Sequence, residues 1–516
     1  MKSSIIKRRY IFALIFFILS ACVKEEFKFD NVKTPGWEPN IAAPLINSRM
    51  TLWDILLDKD SSEVIIDENN LILLVYKGQL ASQTAENLIF IPDQNCNINF
   101  NFSIPAPLNS GDIFTTNFSD NIQFNLTGGQ VLDSIYFKAG NISISINTTL
   151  NYPADLIIEL PGTKNGVPFI ETIPINSPNT FYVIDLTNSK LYLDHSINNN
   201  ELVVNYTVTL YGDGSPNNSP YDININQSFN NLKYKALFGY FGQFDFSFSE
   251  DTVTVKLYTN NIEGIINWYD PKIYLIATNY LGIPINIVFE HIEAVNNLIP
   301  SSVIISGPGI PNPWGIFYPS YQQIGQGIPS QIMLDKTNSN IDDAFNIQPK
   351  EIKTLISATA NPSGPPANNF TLDTSKFSLD VRVELPLIGT AKGFVIQDTF
   401  DLKFDENVDN IEWILFKMQT TNGFPIDVKI QVYFTDSLYN LIDSLIQPFQ
   451  QLVESATVKQ IEIKITKTRL QNFDKVEYAL VRANLETYNS GNTTVKLYAD
   501  QDIHILIGAQ VQLKFD

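Results

Sequence analysis

Three histidines, two cysteines and 54 acidic side chains are what this chain offers for reactive chemistry. His195, His291 and His504 lie far apart and none stands near a cysteine, so no zinc-type ligand spacing forms. No nucleophile elbow, His-Glu-x-x-His helix or phosphate-binding glycine loop occurs. Two carboxylates brought together by folding could still cleave a glycoside, because such a pair needs no fixed separation along the chain. Asp270 and Glu384 fall near expected strand ends, but so do many acids whose ordinary role is solvation. The expectation is a protein that is not an enzyme.

Two polar loops carry oxygen ligands of the kind that hard cations accept. Asp213, Ser215, Asn217 and Ser219 alternate in one, and Asp335, Thr337 and Ser339 precede Asp342 and Asp343 in the other. Neither has the glycine and terminal glutamate of an EF-hand, so Ca2+ is a weak candidate beside ordinary turn chemistry, and no cofactor is expected. A third stretch, Ser306 to Gly327, places Trp314, Phe317, Tyr318 and Tyr321 among Pro308, Pro311, Pro313 and Pro319. Amphipathic rings on a stiff loop make a binding platform for a sugar or a protein, and they make an equally good plug for the end of a sandwich.

The other chemically distinctive residue is Cys22. It follows a positive cluster, Lys7, Arg8 and Arg9, and an apolar run from Ile11 to Leu19 that is short of the roughly 20 residues needed to cross a bilayer. The box Leu19-Ser20-Ala21-Cys22 resembles that of bacterial lipoproteins. The resemblance implies a signal peptide over residues 1–21 and a mature protein whose first residue, Cys22, carries a diacylglycerol and a further acyl chain. A thiolate is the nucleophile suited to that thioether, and several long chains on one residue hold it to a membrane where one alone holds marginally. Lys24, Glu25 and Glu26 resemble the short export signal of surface lipoproteins in the Bacteroidota. Their alternative reading is a solvated tether. The resemblance implies an outer-membrane, lipid-anchored protein exposed at the cell surface. A binding or scaffolding role there would give it an outer-membrane protein as partner. Asp133-Ser134-Ile135, Asp251-Thr252-Val253, Asp436-Ser437-Leu438 and Asp443-Ser444-Leu445 resemble the O-glycosylation acceptors of exported Bacteroidota proteins. That would make Ser134, Thr252, Ser437 and Ser444 candidates, with hydroxyls in turns as the plainer account.

The elements that must position these groups are strands. In "NISISINTTL", Ile142, Ile144 and Ile146 alternate with Ser143, Ser145 and Asn147, and "KFSLDVRVEL", "DVKIQVYF" and "VQLKFD" repeat the period of two. One-sided alternation belongs to antiparallel sheets with one buried and one wet face. Asn95 to Ile104 alternates too, with Cys96 beside Ile98 and Phe100, a buried and inert thiol. Short helices are expected at "TLWDILLD" from Thr51 and over Leu438, Leu441, Ile442, Leu445 and Ile446, ended near Pro448.

A strand, a polar turn, a proline and another strand recur at Pro153, Pro284 and Pro425, about one domain apart, with Trp268 and Trp413 in comparable places upstream of the last two. The turn Asn279-Tyr280-Leu281-Gly282-Ile283-Pro284 resembles that of late-embryogenesis-type immunoglobulin-like domains. Proline and glycine density suggests linkers at Tyr211 to Asp222 and Asn361 to Asn369. The fold expected is all-β, with tandem antiparallel β-sandwich (immunoglobulin-like) domains and few short helices. After a signal peptide (1–21) and a lipidated tether (22–40) come a β-rich segment (41–125) and sandwiches over 126–230, 231–360 and 370–516.

Charged residues are only 17% of the chain, and losing Lys2, Lys7, Arg8 and Arg9 with the leader takes the formal charge from −20 to −24. Such a surface excludes nucleic acid as a partner. With Cys22 acylated, Cys96 has no disulfide partner, so each core must hold by burial. The function expected is a non-enzymatic, lipid-anchored binding or scaffolding module at the outer membrane. A glycan-binding accessory lipoprotein of a surface uptake system is one alternative, and a glycoside or ester hydrolase is a second.

Overall fold

The computed structural model describes residues 38–51, 64–176, 178–255, 264–403, 410–448 and 450–514. Thirty-three strands account for nearly all its regular structure, and helix is confined to short pieces such as Ile341–Asn346. Cys22, Lys24, Glu25, Glu26 and the helix expected after Thr51 lie outside the described residues.

The chain opens with β1 (Asn40–Thr51), β2 (Val64–Ile66), β3 (Ile72–Thr84) and β4 (Gln94–Phe102). A first run follows: β5 (Ile113–Gln123), β6 (Val131–Thr148), β7 (Ala154–Lys164), β8 (Val167–Ile175), β9 (Asn179–Asp185), β10 (Ser189–Tyr192), β11 (Glu201–Tyr211) and β12 (Tyr221–Tyr240). The second holds β13 (Phe244–Ser247), β14 (Asp251–Thr254), β15 (Ile265–Trp268), β16 (Lys272–Asn279), β17 (Ile285–Asn296), β18 (Ser301–Ile304), β19 (Trp314–Ile316), β20 (Ile328–Leu334), β21 (Glu351–Ala360), β22 (Asn369–Leu372) and β23 (Lys376–Pro386). After β24 (Ile388–Lys392), the third holds β25 (Phe394–Asp401), β26 (Ile411–Asn422), β27 (Asp427–Thr435), β28 (Leu441–Ser444), β29 (Gln451–Val453), β30 (Val458–Thr466), β31 (Tyr478–Glu486), β32 (Val495–Lys496) and β33 (Asp502–Leu513).

Strand pairing shows the three runs to be versions of one antiparallel sandwich. In the first, β6 pairs with β9 and β12, while β7 pairs with β8 and β11, and β11 with β5. In the second, β16 pairs with β20 and β23, while β17 pairs with β18, β19 and β21, and β21 with β14. In the third, β26 pairs with β30 and β33, while β27 pairs with β28, β29 and β31, and β31 with β25. Between the two sheets lie Ile, Leu and Val side chains such as Ile144, Leu156, Ile285, Val383, Ile430 and Ile505, each at most 1% exposed. Each such burial is worth about 1.5–3 kcal/mol. In the first sandwich β10 pairs with both β6 and β7 and so links the sheets into one path.

The turn that carries the chain from one sheet to the other is built the same way each time. Asn279 accepts the Leu281 N–H at 2.9 Å and donates to the Ile283 carbonyl at 3.0 Å. Asn422 accepts the Phe424 N–H at 3.0 Å and donates to the Ile426 carbonyl at 2.8 Å. In the first sandwich Thr148 substitutes, its hydroxyl accepting the Leu150 N–H at 3.1 Å. A short side chain that satisfies the N–H two residues on is what a tight turn requires. The tryptophans are not equivalent, since Trp268 ends β15 whereas Trp413 lies within β26.

The division of the chain is not the sequential one expected. The opening strands form no unit of their own: β4 completes the first sandwich beside β12, β3 the second beside β23, and β1 the third beside β33. β12 runs unbroken through residue 230, and β23 closes the second sandwich rather than opening the third. By contacts, the described residues of Met1–Val75, Lys256–Asp270 and Leu385–Asp516 group as one unit, and Tyr76–Val255 with Pro271–Glu384 as another.

Neither expected linker is one. The loop from Tyr211 to Asp222 joins strands of the first sandwich and is tied by Tyr152 Oη to the Ser215 carbonyl (2.7 Å) and by Asn217 to the Ile104 carbonyl (3.0 Å). Asn361 to Asn369 joins β21 to β22 and is anchored at both ends by buried amides. The helix expected over Leu438 to Ile446 is a turn followed by β28. The Asp436 carboxylate accepts the N–H groups of Leu438 and Asn440 at 2.9 and 2.8 Å. Leu438 and Leu441 are exposed while Leu445 is buried, so the helically spaced apolar residues do not share one buried face.

Candidate functional site

The proline-rich aromatic loop lies between β17 and β20 of the second sandwich, and its four rings divide between two roles. Trp314 sits on β19 opposite Ile287, 6% exposed and stacked on Phe289 with centroids 6.1 Å apart. It is a core plug. Phe317, Tyr318 and Tyr321 are 69%, 48% and 45% exposed. The Phe317 N–H is fixed by Ser330 Oγ at 2.8 Å, and a 3-10 turn over Tyr321–Gln323 is held by the Ser320 N–H on Gln323 Oε1 at 3.1 Å.

Tyr321 reaches past its own sandwich. Its ring stacks on Phe238 of β12 at 6.0 Å and leans on Phe370 of β22 at 5.3 Å, and its hydroxyl donates to the Asn369 carbonyl at 3.3 Å. Partial burial, with the Asp133 charge nearby, raises its phenol pKa above the ordinary value. Beyond Phe238 the surface continues across the first sandwich. Lys190 Nζ lies 5.4 Å above the Phe238 ring and 4.8 Å above Tyr192, and Lys235 Nζ lies 5.1 Å above Tyr136. Rings interleaved with ammonium groups suit protein contact, where aromatic residues are enriched. Sequence reading missed Phe238, Tyr192, Tyr136, Lys190 and Lys235, because only strand register brings "KLY" and "YKALFGY" to the two sides of β6.

The remaining candidates stand apart. Asp213 accepts the Ser215 N–H (2.9 Å), and Asn217 accepts the Ser219 N–H (2.9 Å) while donating to Ile104. Asp335 accepts both the N–H (2.8 Å) and the hydroxyl (2.6 Å) of Thr337. These bonds hold the carboxyls of Asp213 and Asp335 below their usual pKa and serve as turn locks. Among the described residues, no group of three or more His, Cys, Asp and Glu could hold a metal ion. Glu384 is buried against Arg382, whose guanidinium lies 5.5 Å from the Tyr274 ring centre, and Asp270 falls in the other contact unit. His195 lies 3.4 Å from Asp133, His291 3.1 Å from Glu250, and His504 2.8 Å from Asn47.

Of the glycosylation candidates, Ser134 is 4% exposed, paired with Tyr192 on one side and Phe238 on the other. Thr252 and Ser437 are exposed and Ser444 is half-buried. Cys96 is half-buried on β4, and burial raises its thiol pKa, which suits an inert side chain. An apolar cavity of about 50 Å3 in the other unit, beside Trp268 and Phe394, is well below the 150 Å3 or so that admits benzene.

The fold places the chain among tandem antiparallel β-sandwich proteins. No family model matches it and no curated protein matches it. Among solved structures, a protein of Parabacteroides distasonis described as secreted is similar at 13% identity, over 92% of this chain and 99% of that one, with a TM-score of 0.31. The VP2 subviral particle of infectious bursal disease virus is similar at 7% identity, over 89% and 86%, with a TM-score of 0.13. At those scores neither likeness bears on function.

Proposed function

We infer that this chain is a lipid-anchored envelope protein, held at the outer membrane through Cys22, that works by binding or scaffolding rather than by catalysis. The observation that carries the reading is the order of a positive cluster, a short apolar run and Leu19-Ser20-Ala21-Cys22 at the start of a chain that then folds as three sandwiches. A residue with several acyl chains confines those sandwiches to within tether length of the bilayer. The partner is an outer-membrane protein, and the surface offered to it is the aromatic and lysine band around Tyr321, Phe238 and Lys190. Support comes from its composition: exposed rings, few acids and well-fixed backbone.

The test is extraction of the intact protein from membranes in mild detergent, followed by co-purification and mass spectrometry of the mature amino terminus. An acylated Cys22 and a co-purifying membrane protein, lost on Phe238→Ala and Tyr321→Ala, are expected. An unacylated amino terminus would sink the anchorage, and a solitary monomer would sink the scaffolding.

A further inference from the structure

The outer face of the first sandwich's β4–β12–β6–β9 sheet is unusual in what it presents to water. On its inner face Ile144, Ile146, Ile223 and Ile225 are buried. On the outer face, register aligns Asn97, Asn226, Ser145 and Phe181 into one row across the four strands. The next row brings Asn99 beside Asn224, and the carboxylates Asp222 and Asp185 lie only at the margins. A wet sheet face in an acidic protein ordinarily carries lysine, glutamate or aspartate. This one carries neutral amides and hydroxyls in its middle rows, although the chain's formal charge is −20.

The amides are already ordered. Asn224 donates to Asn99, Asn226 donates to Asn224 at 3.2 Å, and Asn101 donates to Asp222 at 2.7 Å. Each bond uses one donor of a group with two, so further donors and lone pairs face outward with their rotamers fixed. A ligand then meets a surface whose ordering entropy is already spent. Strands about 4.8 Å apart set the spacing along a row, close to the length of one pyranose unit, and four strands span roughly 14 Å. The row ends on Phe181, 69% exposed on edge strand β9, an apolar plate at the end of a polar track.

We propose that this face binds a neutral polysaccharide laid across the strands, its hydroxyls exchanging hydrogen bonds with the asparagine and serine array and one sugar ring stacking on Phe181. Sugar hydroxyls are both donors and acceptors, as the amides are, and neither side loses a hydrated charge on contact. An anionic polymer would find no cation in the row, and a peptide strand would find no apolar sockets.

Affinity electrophoresis of the detergent-extracted full chain through gels holding laminarin, xylan, glucomannan or dextran tests this. Retardation by at least one of these is expected, insensitive to salt, and weakened about tenfold by Phe181→Ala with Asn226→Ala at unchanged melting temperature. Should that double variant not fold, Asn97→Asp places a carboxylate at an exposed site of the row and is expected to weaken retardation similarly. Retardation in none of the four gels overturns the proposal, as does full retention by these variants or a loss caused instead by Phe317→Ser and Tyr318→Ser. Co-purification with a membrane partner is unaffected by the row variants, so failure here leaves the anchorage and scaffolding standing.

Discussion

Asn361 and Asn369 hydrogen-bond to each other in both directions, at 2.8 and 3.0 Å, with 1% of either residue exposed. Their remaining amide valences reach the Gly242 carbonyl (2.7 Å), the Phe241 N–H (3.1 Å) and the Gly282 carbonyl (3.3 Å). Three backbone groups on two other chain segments are satisfied by these two side chains. Asn369→Ala therefore strands Asn361 and the Phe241 N–H without water. A loss of about 2–4 kcal/mol in urea unfolding is expected, and a loss below 1 kcal/mol would show that water replaces the amide.

Gly282 lies against Phe370, where a Cβ would stand 2.3 Å from the ring, whereas at Gly315 the nearest group is Asn286 Oδ1 at 3.5 Å. Gly282→Ala must push that buried ring aside and is expected to cost about 1–3 kcal/mol. Gly315→Ala should change the unfolding midpoint little. Equal effects at both positions would refute the close-approach argument.

The loop's rings separate by the same logic. Trp314→Ala removes a buried indole stacked on Phe289 and should cost about 3–5 kcal/mol. Phe317→Ser alters an exposed ring and should stay within about 0.5 kcal/mol. Thermal unfolding of the two variants distinguishes a plug from a platform.

Tyr234 is buried and its hydroxyl has no hydrogen-bond partner among the described residues, and that burial drives its pKa well above the ordinary value. In the unfolded chain the phenol ionises near pH 10 while the folded one keeps its proton. Above that pH the unfolded state binds fewer protons, so stability is fully present below about pH 10 and falls as pH rises beyond it. Tyr234→Phe should be neutral or slightly stabilising at pH 7 and should move alkaline unfolding to higher pH. An unchanged alkaline midpoint would assign the transition to other groups, Tyr206 first among them.

Cys22→Ala tests the anchor. The expected outcome is loss of radiolabelled palmitate incorporation and release from outer-membrane vesicles at unchanged fold, read by fractionation and circular dichroism.

How far the fold is legible in the sequence depends on the range of the interaction. Alternation marks the buried and wet faces at Ile142 to Asn147, because side-chain direction in a strand has a period of two. At Phe377 to Leu385 it marks the core face, but Ser378 and Glu384 on the other face are buried too. The recurring turns were visible as well, since Asn279 and Asn422 act within four residues of themselves. The helix expected from Leu438 failed because apolar spacing carries no information on whether a core stands opposite. The band around Tyr321 was half seen, since three of its rings are neighbours in sequence while Phe238 and Lys190 arrive by register alone.

The sequence by itself determined the all-β class and the turn chemistry, both matters of patterns that run within a few residues. Only the tertiary structure decided that β4, β3 and β1 complete the first, second and third sandwiches in turn, Asn40 meeting Gln512 at 3.1 Å. Backbone N–H and C=O groups are the same at every residue, so a strand's pattern tells which side is buried but not which strand lies beside it. That choice rests on the cores closing together, which no local stretch records.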